Sequence, residues 1–435
     1  MKKSNFLNNL SWTMIAQIVQ VLAQMLIGMF VSRYLGTDNK GSLDYVAAFV
    51  SFGTSIVALG VSGVIVNELC DVKNNDGRIL GTVMRLQFIV SIITMIAVVG
   101  VIAGLTYYKN NDTMIIVLGA IEGASLLFGN FLTLFFWFQA REKMKYVSAL
   151  QLITQLIVVL YKAVIIICKC SVVYFAFAKL LESIVTAILY YVVFRKYCKE
   201  KLAFDKQIGR KIITRSAPFL IADVMILLYQ TMDKMMLGSM IDMTSVAYYS
   251  AATTIAAMWS VIPTAFLNVI RPKVMSSNTK DRKLYEKRMT ETFTGLIYSA
   301  IPYSVIITII GKYVIWLLYG KDFIPGNSAL KIVVWYCAFS YIGGGRSIYL
   351  ICEDKNKYAT IFCIWGAIIN AVLNWFLIPS YGINGAAFAT LLTQIFANVI
   401  IPACYKETRE YVKYVFKGFI RVDYVINDLK SILKK

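Results

Sequence analysis

Asp223, Gln230 and Lys234 lie seven and eleven residues apart, and on an α-helix turning about 100° per residue that spacing sets them within about 20° of one line. Gln17, Gln20 and Gln24 form a second such face, and Ser148, Gln151, Gln155 and Lys162 a third. Lys179, Glu182, Ser183 and Thr186 make a fourth, Glu122, Ser125 and Thr133 a fifth, and Asn370 and Asn374 a sixth. Each stripe interrupts a run of apolar residues. In hydrocarbon an ionisable group costs about 3 kcal/mol or more unless it meets water, a partner or a ligand. Polar stripes of this kind either join helices, at roughly 1 kcal/mol or less per hydrogen bond, or line a wet cavity for a polar solute. The asparagines suit the first use, and Lys179 and Glu182, three apart, suit mutual neutralisation. Asp223, Lys162 and Lys234 point to the second, although both lysines sit toward the outer ends of their runs, where they can also snorkel.

The elements that carry these stripes are long and apolar. Of 435 residues, 58% are hydrophobic and 16% charged, against about a quarter charged in an ordinary soluble domain. Crossing the bilayer takes roughly 20 mainly apolar residues. Twelve such runs are present, near 12–33, 44–66, 82–105, 114–138, 147–167, 172–194, 213–238, 245–270, 290–311, 328–350, 358–379 and 385–405. The chain is therefore an all-α integral membrane protein with 12 transmembrane helices. The basic opening "MKKSNFLNNLSW" leads into a run too long for a signal core and without a small-x-small cleavage site, so it reads as the first span, uncleaved.

Placing both termini in the cytoplasm puts most of the 44 Lys and Arg on the inner side, in the joints 195–212 and 271–289 and the tail 406–435. The net charge of +20 then belongs to the cytoplasmic surface and anionic lipid headgroups, with no role for nucleic acid. The tail "REYVKYVFKGFIRVDYVINDLKSILKK" mixes basic and apolar residues as an interfacial anchoring helix does. Eight scattered cysteines show no metal spacing, and no cofactor motif stands out. There is no histidine, so any proton relay must use carboxylates. Asp223 and Glu182 are the best placed for ion coupling, since each has a lysine on its own helix face. Asp223 is roughly 16 Å along the axis from Lys234, too far for a direct pair.

"AFAKLL" at 176–181 recurs as "AFATLL" at 387–392, and "RYLGTDNKGSLDYVAA" at 33–48 is echoed, with a two-residue gap, by "MMLGSMIDMTSVAYYSAA" at 235–252. Similar offsets in both matches point to duplication. Six spans per half enter the membrane with the same orientation, giving two six-helix lobes related by a pseudo-twofold axis along the membrane normal. The expected boundaries are 1–200, 201–405 and the tail 406–435, with a cavity between the lobes.

"NAVLNWFLIPSYGINGAAFAT" (370–390) resembles the span 11 to 12 signature of the multidrug, oligosaccharidyl-lipid and polysaccharide exporter superfamily. "SRYLGTDNKGSLDY", "APFLIADVMILLYQTMDKMMLG" and "LLYGKDFIPGNSALKI" are similar to segments of its polysaccharide flippase branch, the O-antigen and capsule repeat-unit transporters. The resemblance implies a bacterial cytoplasmic membrane and a non-enzymatic flippase for an oligosaccharide joined through diphosphate to a polyprenyl lipid. It further implies membrane lipids, a polysaccharide polymerase and a chain-length regulator as partners, and a tight outer turn at Pro379 to Gly382. In that setting Lys162, Lys179 and Lys234 would favour the diphosphate, and Gln17, Gln24, Gln155 and Gln230 would meet the sugars. A multidrug extruder shares the fold, but its cavity for cationic drugs calls for an excess of acids, whereas this chain buries both signs. A polymerase or glycosyltransferase needs a sizeable external loop with catalytic acids, and "GKYVIWLLYGKDFIPG" is short and mostly apolar.

Overall fold

The computed structural model describes residues 3–71, 75–109, 112–278 and 281–420, with side chains from residue 23 onward except that of Asp71. The helices are α1 (Lys3–Ala58), α2 (Ile65–Asp71), α3 (Asp76–Tyr108), α4 (Met114–Ala124), α5 (Thr133–Ala140), α6 (Met144–Ile167), α7 (Val172–Tyr197) and α8 (Lys206–Met240). There follow α9 (Met243–Ala257), α10 (Val261–Asn278), α11 (Arg282–Tyr319), α12 (Asn327–Val333), α13 (Tyr336–Cys352), α14 (Lys357–Ile395), α15 (Ile401–Cys404) and α16 (Arg409–Ile420). Among the described residues no strand occurs, and nine helical stretches are long and apolar enough to cross a membrane. Helix forms in each of the twelve expected runs, although the second leaves α1 at Ala58 and turns at Leu59 and Gly60 before α2. The first two share α1, the last two share the stretch Lys357–Cys404, and the run 328–350 is divided between the shorter α12 and α13.

Two glycines replace the loops expected inside α1 and α14. At Gly36 φ is 71° and ψ −175°, a region essentially open to glycine alone. Helix resumes at once beyond it, so Lys40 and Asp44 stand on the second helix. Gly382, at φ 54° and ψ −130°, makes the tight turn expected after Pro379.

Lipid shapes the burial pattern. α3 encloses Gln87, Ser91 and Thr94 and turns Ile89, Ile93 and Ile96 outward, the last 67% exposed. Outward isoleucines and inward hydroxyls would be an error in water and are the stable choice in hydrocarbon. Thr133 donates to Gln87 Oε1 at 2.5 Å, and Gln87 Nε2 donates to the Ala58 carbonyl at 3.2 Å, satisfying a carbonyl at the end of α1.

Contacts divide the chain into units Met1–Leu227 and Leu228–Lys435, so the first part of α8 belongs with unit 1. Unit 1 has a core around Trp137, Phe138, Tyr190 and Phe194. Unit 2 has one around Tyr285, Phe293, Phe362 and Tyr411. α16 buries Tyr411, Val412, Tyr414 and Val415 in that second core and leaves Lys413, Phe416, Lys417 and Ile420 exposed. The start of the basic tail is thus packed against α11, and residues 421–435 lie outside the described residues.

Candidate functional site

Unit 1 contains a cavity of about 540 Å³. α1 supplies Lys40 and Asp44, α4 supplies Glu122, α6 supplies Lys162, and α7 supplies Lys179 and Glu182. Val31, Leu43, Val50, Phe175 and Leu227 complete an amphipathic wall. Lys40 bonds Asp44 one turn along its own helix, and the other oxygen of Asp44 is buried without a partner. Lys179 Nζ donates to Glu182 at 3.1 Å, and this pair also lines a neighbouring cavity of about 90 Å³ with Ser183 and Thr186. Lys162 is half-buried, and Glu122 is 5% exposed. Three residues after Glu122 the span tightens into a 3₁₀ stretch, Ser125–Leu132, before α5 begins; such mid-helix stretches often mark a hinge or a strained site.

Of the residues singled out from sequence, Glu122, Lys162, Lys179 and Glu182 come together in this cavity. Gln24 Nε2 donates to Gln155 at 3.1 Å, tying α1 to α6. Gln17 is on α1, with its side chain outside the described residues. Asp223 is half-buried on the unit 1 part of α8, whereas Gln230, exposed, and Lys234, half-buried with a polar contact, belong to unit 2.

Unit 2 holds a second polar centre, in which the asparagines Asn370 and Asn374 singled out from sequence join helices around a carboxylate that sequence reasoning missed. Asp233 is 2% exposed on α8. Its Oδ1 accepts from Asn374 Nδ2 at 2.5 Å, and its Oδ2 accepts from the hydroxyls of Tyr249 and Thr390. Asn374 Nδ2 also donates to Asn370 Oδ1 at 3.0 Å, and Asn370 donates to Thr393 at 3.4 Å. All these donors are neutral, and the Asn374 oxygen is buried without a partner. One carboxylate among amide and hydroxyl oxygens suits a proton or a hard cation. Among the described residues no cluster of three His, Cys, Asp or Glu suits a transition metal.

Arg346 on α13 was also passed over. Its Nη1 donates to the Ala397 carbonyl at 2.5 Å, inside a π-helical turn Phe396–Ile400, and its guanidinium lies 5.2 Å from the Phe362 ring centre.

Joints expected on one side of the membrane are bonded to each other within each unit. In unit 1, Arg141 and Trp137 both bond Asp76, at 2.7 Å, which holds the Arg141 guanidinium above its usual range. Glu68 takes Lys211 at 2.7 Å and Arg215 at 2.6 Å. In unit 2, Arg282 bridges Glu353 at 2.5 Å and Glu410 at 2.8 Å.

Outward apolar faces on the long helices, and within unit 1 a chamber lined with both signs of charge, define a multi-pass membrane protein. Residues 6–277 match the family described as polysaccharide biosynthesis protein, and the chain belongs to that family. It is 23% identical over 191 residues to the probable low-salt glycan biosynthesis flippase Agl15 of Haloferax volcanii, covering 43% of this chain and 40% of that protein. It is 27% identical over 139 residues to the lipid II flippase MurJ of Bacillus subtilis, covering 31% of this chain and 25% of that protein. These matches span less than half the length of the curated relatives. Among solved structures, a lipid II flippase MurJ in an inward closed conformation superposes with a TM-score of 0.71 at 14% identity, covering 97% of this chain and 96% of that one. An inward-facing multidrug resistance transporter of the MATE family gives 0.70 at 13% identity, covering 94% and 96%. The resemblance read from the motifs holds for family and fold.

Proposed function

We propose that the protein is a flippase that carries a glycan, joined through diphosphate to a polyprenyl lipid, from the cytoplasmic to the outer leaflet for surface polysaccharide such as O-antigen or capsule. The observation that carries this reading is the unit 1 cavity, where three lysines and three carboxylates open onto one space behind apolar outer faces. A sugar diphosphate cannot cross about 30 Å of hydrocarbon alone, since each unsatisfied polar group costs several kcal/mol. A charged chamber that opens in turn to each face of the membrane removes most of that cost. Lys162 and Lys179 attract the diphosphate as point charges, with Lys234, Gln17, Gln24, Gln155 and Gln230 as further substrate contacts. The family and the glycan and lipid II flippases among the relatives support the same reading.

The membrane is the bacterial cytoplasmic membrane with both termini inside, and a polymerase and chain-length regulator act on the product. For coupling, Asp233 is favoured over Asp223 and Glu182. Glu182 already has Lys179, and Asp223 is only half-buried, whereas Asp233 is enclosed by neutral donors.

The test uses the full chain in phosphatidylethanolamine and phosphatidylglycerol vesicles with a fluorescent polyprenyl-diphosphate disaccharide, scored by access to an impermeant quencher. The protein should accelerate exchange between leaflets, Lys162→Ala should slow it roughly tenfold, as loss of about 1.4 kcal/mol would, and Lys162→Arg should retain most of it. Exchange no faster than in protein-free vesicles rejects the proposal. Ethidium transport without glycan exchange would favour the multidrug alternative.

A further inference from the structure

The six charges of the unit 1 cavity fall into two groups. Lys40 is paired with Asp44 and Lys179 with Glu182, each couple closed within a single helix. Lys162 and Glu122 remain open. Among the described residues no hydrogen bond or ion pair reaches either side chain, although Glu122 is almost wholly enclosed and Lys162 half so. Removing a charge from water without a partner is costly, and a solute that brings the opposite charge repays that cost. One open cation and one open anion on the same chamber therefore match a solute that carries both signs.

We propose that the glycan head carried by this protein bears a positively charged amino group seated on Glu122, together with the anionic group seated on Lys162. The inference rests on the flippase reading and adds the substrate class to it. The buried, unpartnered Oδ2 of Asp44 on the same chamber supplies a further acceptor for the N–H groups of an ammonium. A neutral sugar would offer Glu122 only hydroxyl donors and bring no positive charge into direct contact with it.

Binding to the full chain in lipid nanodiscs is compared for two probes, a polyprenyl-diphosphate disaccharide with one free sugar amine and its N-acetylated form. The parent should prefer the free amine by about tenfold or more, Glu122→Gln should bring the two within about twofold, and Lys162→Ala should weaken both alike. Equal binding of both probes by the parent overturns the amine assignment and leaves the flippase reading standing. A preference that survives in Glu122→Gln overturns the seat on Glu122. Failure of the parent to bind either probe removes the flippase reading itself. Should Glu122→Gln not fold, Glu122→Asp, which keeps the charge on a shorter arm, must retain a weakened preference, and the parent's own discrimination still decides.

Discussion

Asn374 donates its amide to Oδ1 of Asp233 at 2.5 Å, joining α14 to α8 across 141 positions of sequence. The bond belongs to a cluster in which every donor is neutral, so the charge is balanced only by what enters from outside the cluster.

Asp233→Asn keeps the shape and removes that charge. Folded protein should be recovered at near-parent yield, while transport in vesicles should lose its response to an imposed proton or sodium gradient. Asp233→Ala should lower the monodisperse yield on gel filtration, because Asn374, Tyr249 and Thr390 lose a buried acceptor at about 1–3 kcal/mol each. A gradient response of Asp233→Asn equal to the parent's would move coupling to Asp223.

Lys179 and Glu182 form a half-exposed pair three residues apart. A double-mutant cycle on thermal stability should give a coupling of about 1 kcal/mol or less. A transport defect in Lys179→Ala much larger than its stability defect marks contact with the solute.

Gly36→Ala forces a side chain into backbone space essentially reserved for glycine and should cost about 1–3 kcal/mol. Gly100→Ala, in open space on α3, should be neutral or stabilising by about 0.5–1 kcal/mol. Detergent-solubilised melting curves of the two variants check the contrast.

Sequence alone made the spans and the family readable, because long apolar runs and the turn before "GINGAAFAT" are local features. It also exposed Glu122, Lys162, Lys179 and Glu182, each conspicuous in an apolar run. Lys40 was hidden in the polar joint 34–43, where charges are normally solvated, and Asp44 at the very edge of the second run; only the immediate restart of helix after Gly36 lifts them into a cavity wall. Asp233 was hidden for another reason. It is one residue, about 100° of helix, away from the line through Asp223 and Lys234, and its partners Asn374 and Thr390 lie 141 and 157 residues away.

Burial opposes ionisation of Glu410, but bonds from Arg282 and Tyr414 prevail and hold its carboxyl below the usual glutamate value of about 4.5. A depressed value means stability that is present above that pH and is lost as the pH falls below it toward the folded-state value. The melting-temperature gap between the parent and Glu410→Gln should therefore be steady from pH 7 to about 5 and shrink below about 4.5. A gap that is constant down to acid pH would show that the bonds from Arg282 do not stabilise the charged form.

With the native cysteines replaced, single cysteines at Lys206 and Lys283, both exposed, should resist an impermeant thiol reagent on intact cells and react after permeabilisation. Ser277 would be a poor reporter, being 1% exposed. Labelling of intact cells at either position would invert the proposed orientation.

Gly382 leaves no slack between the two halves of α14, which behave as an elbow with stiff arms. Asn374 stands eight residues before the bend and Thr390 eight after it, about 12 Å out along each arm. Both grip the same aspartate from α8. A single carboxylate thus works as the latch across the elbow, and the angle between the arms is held at the point where leverage on it is equal from both sides.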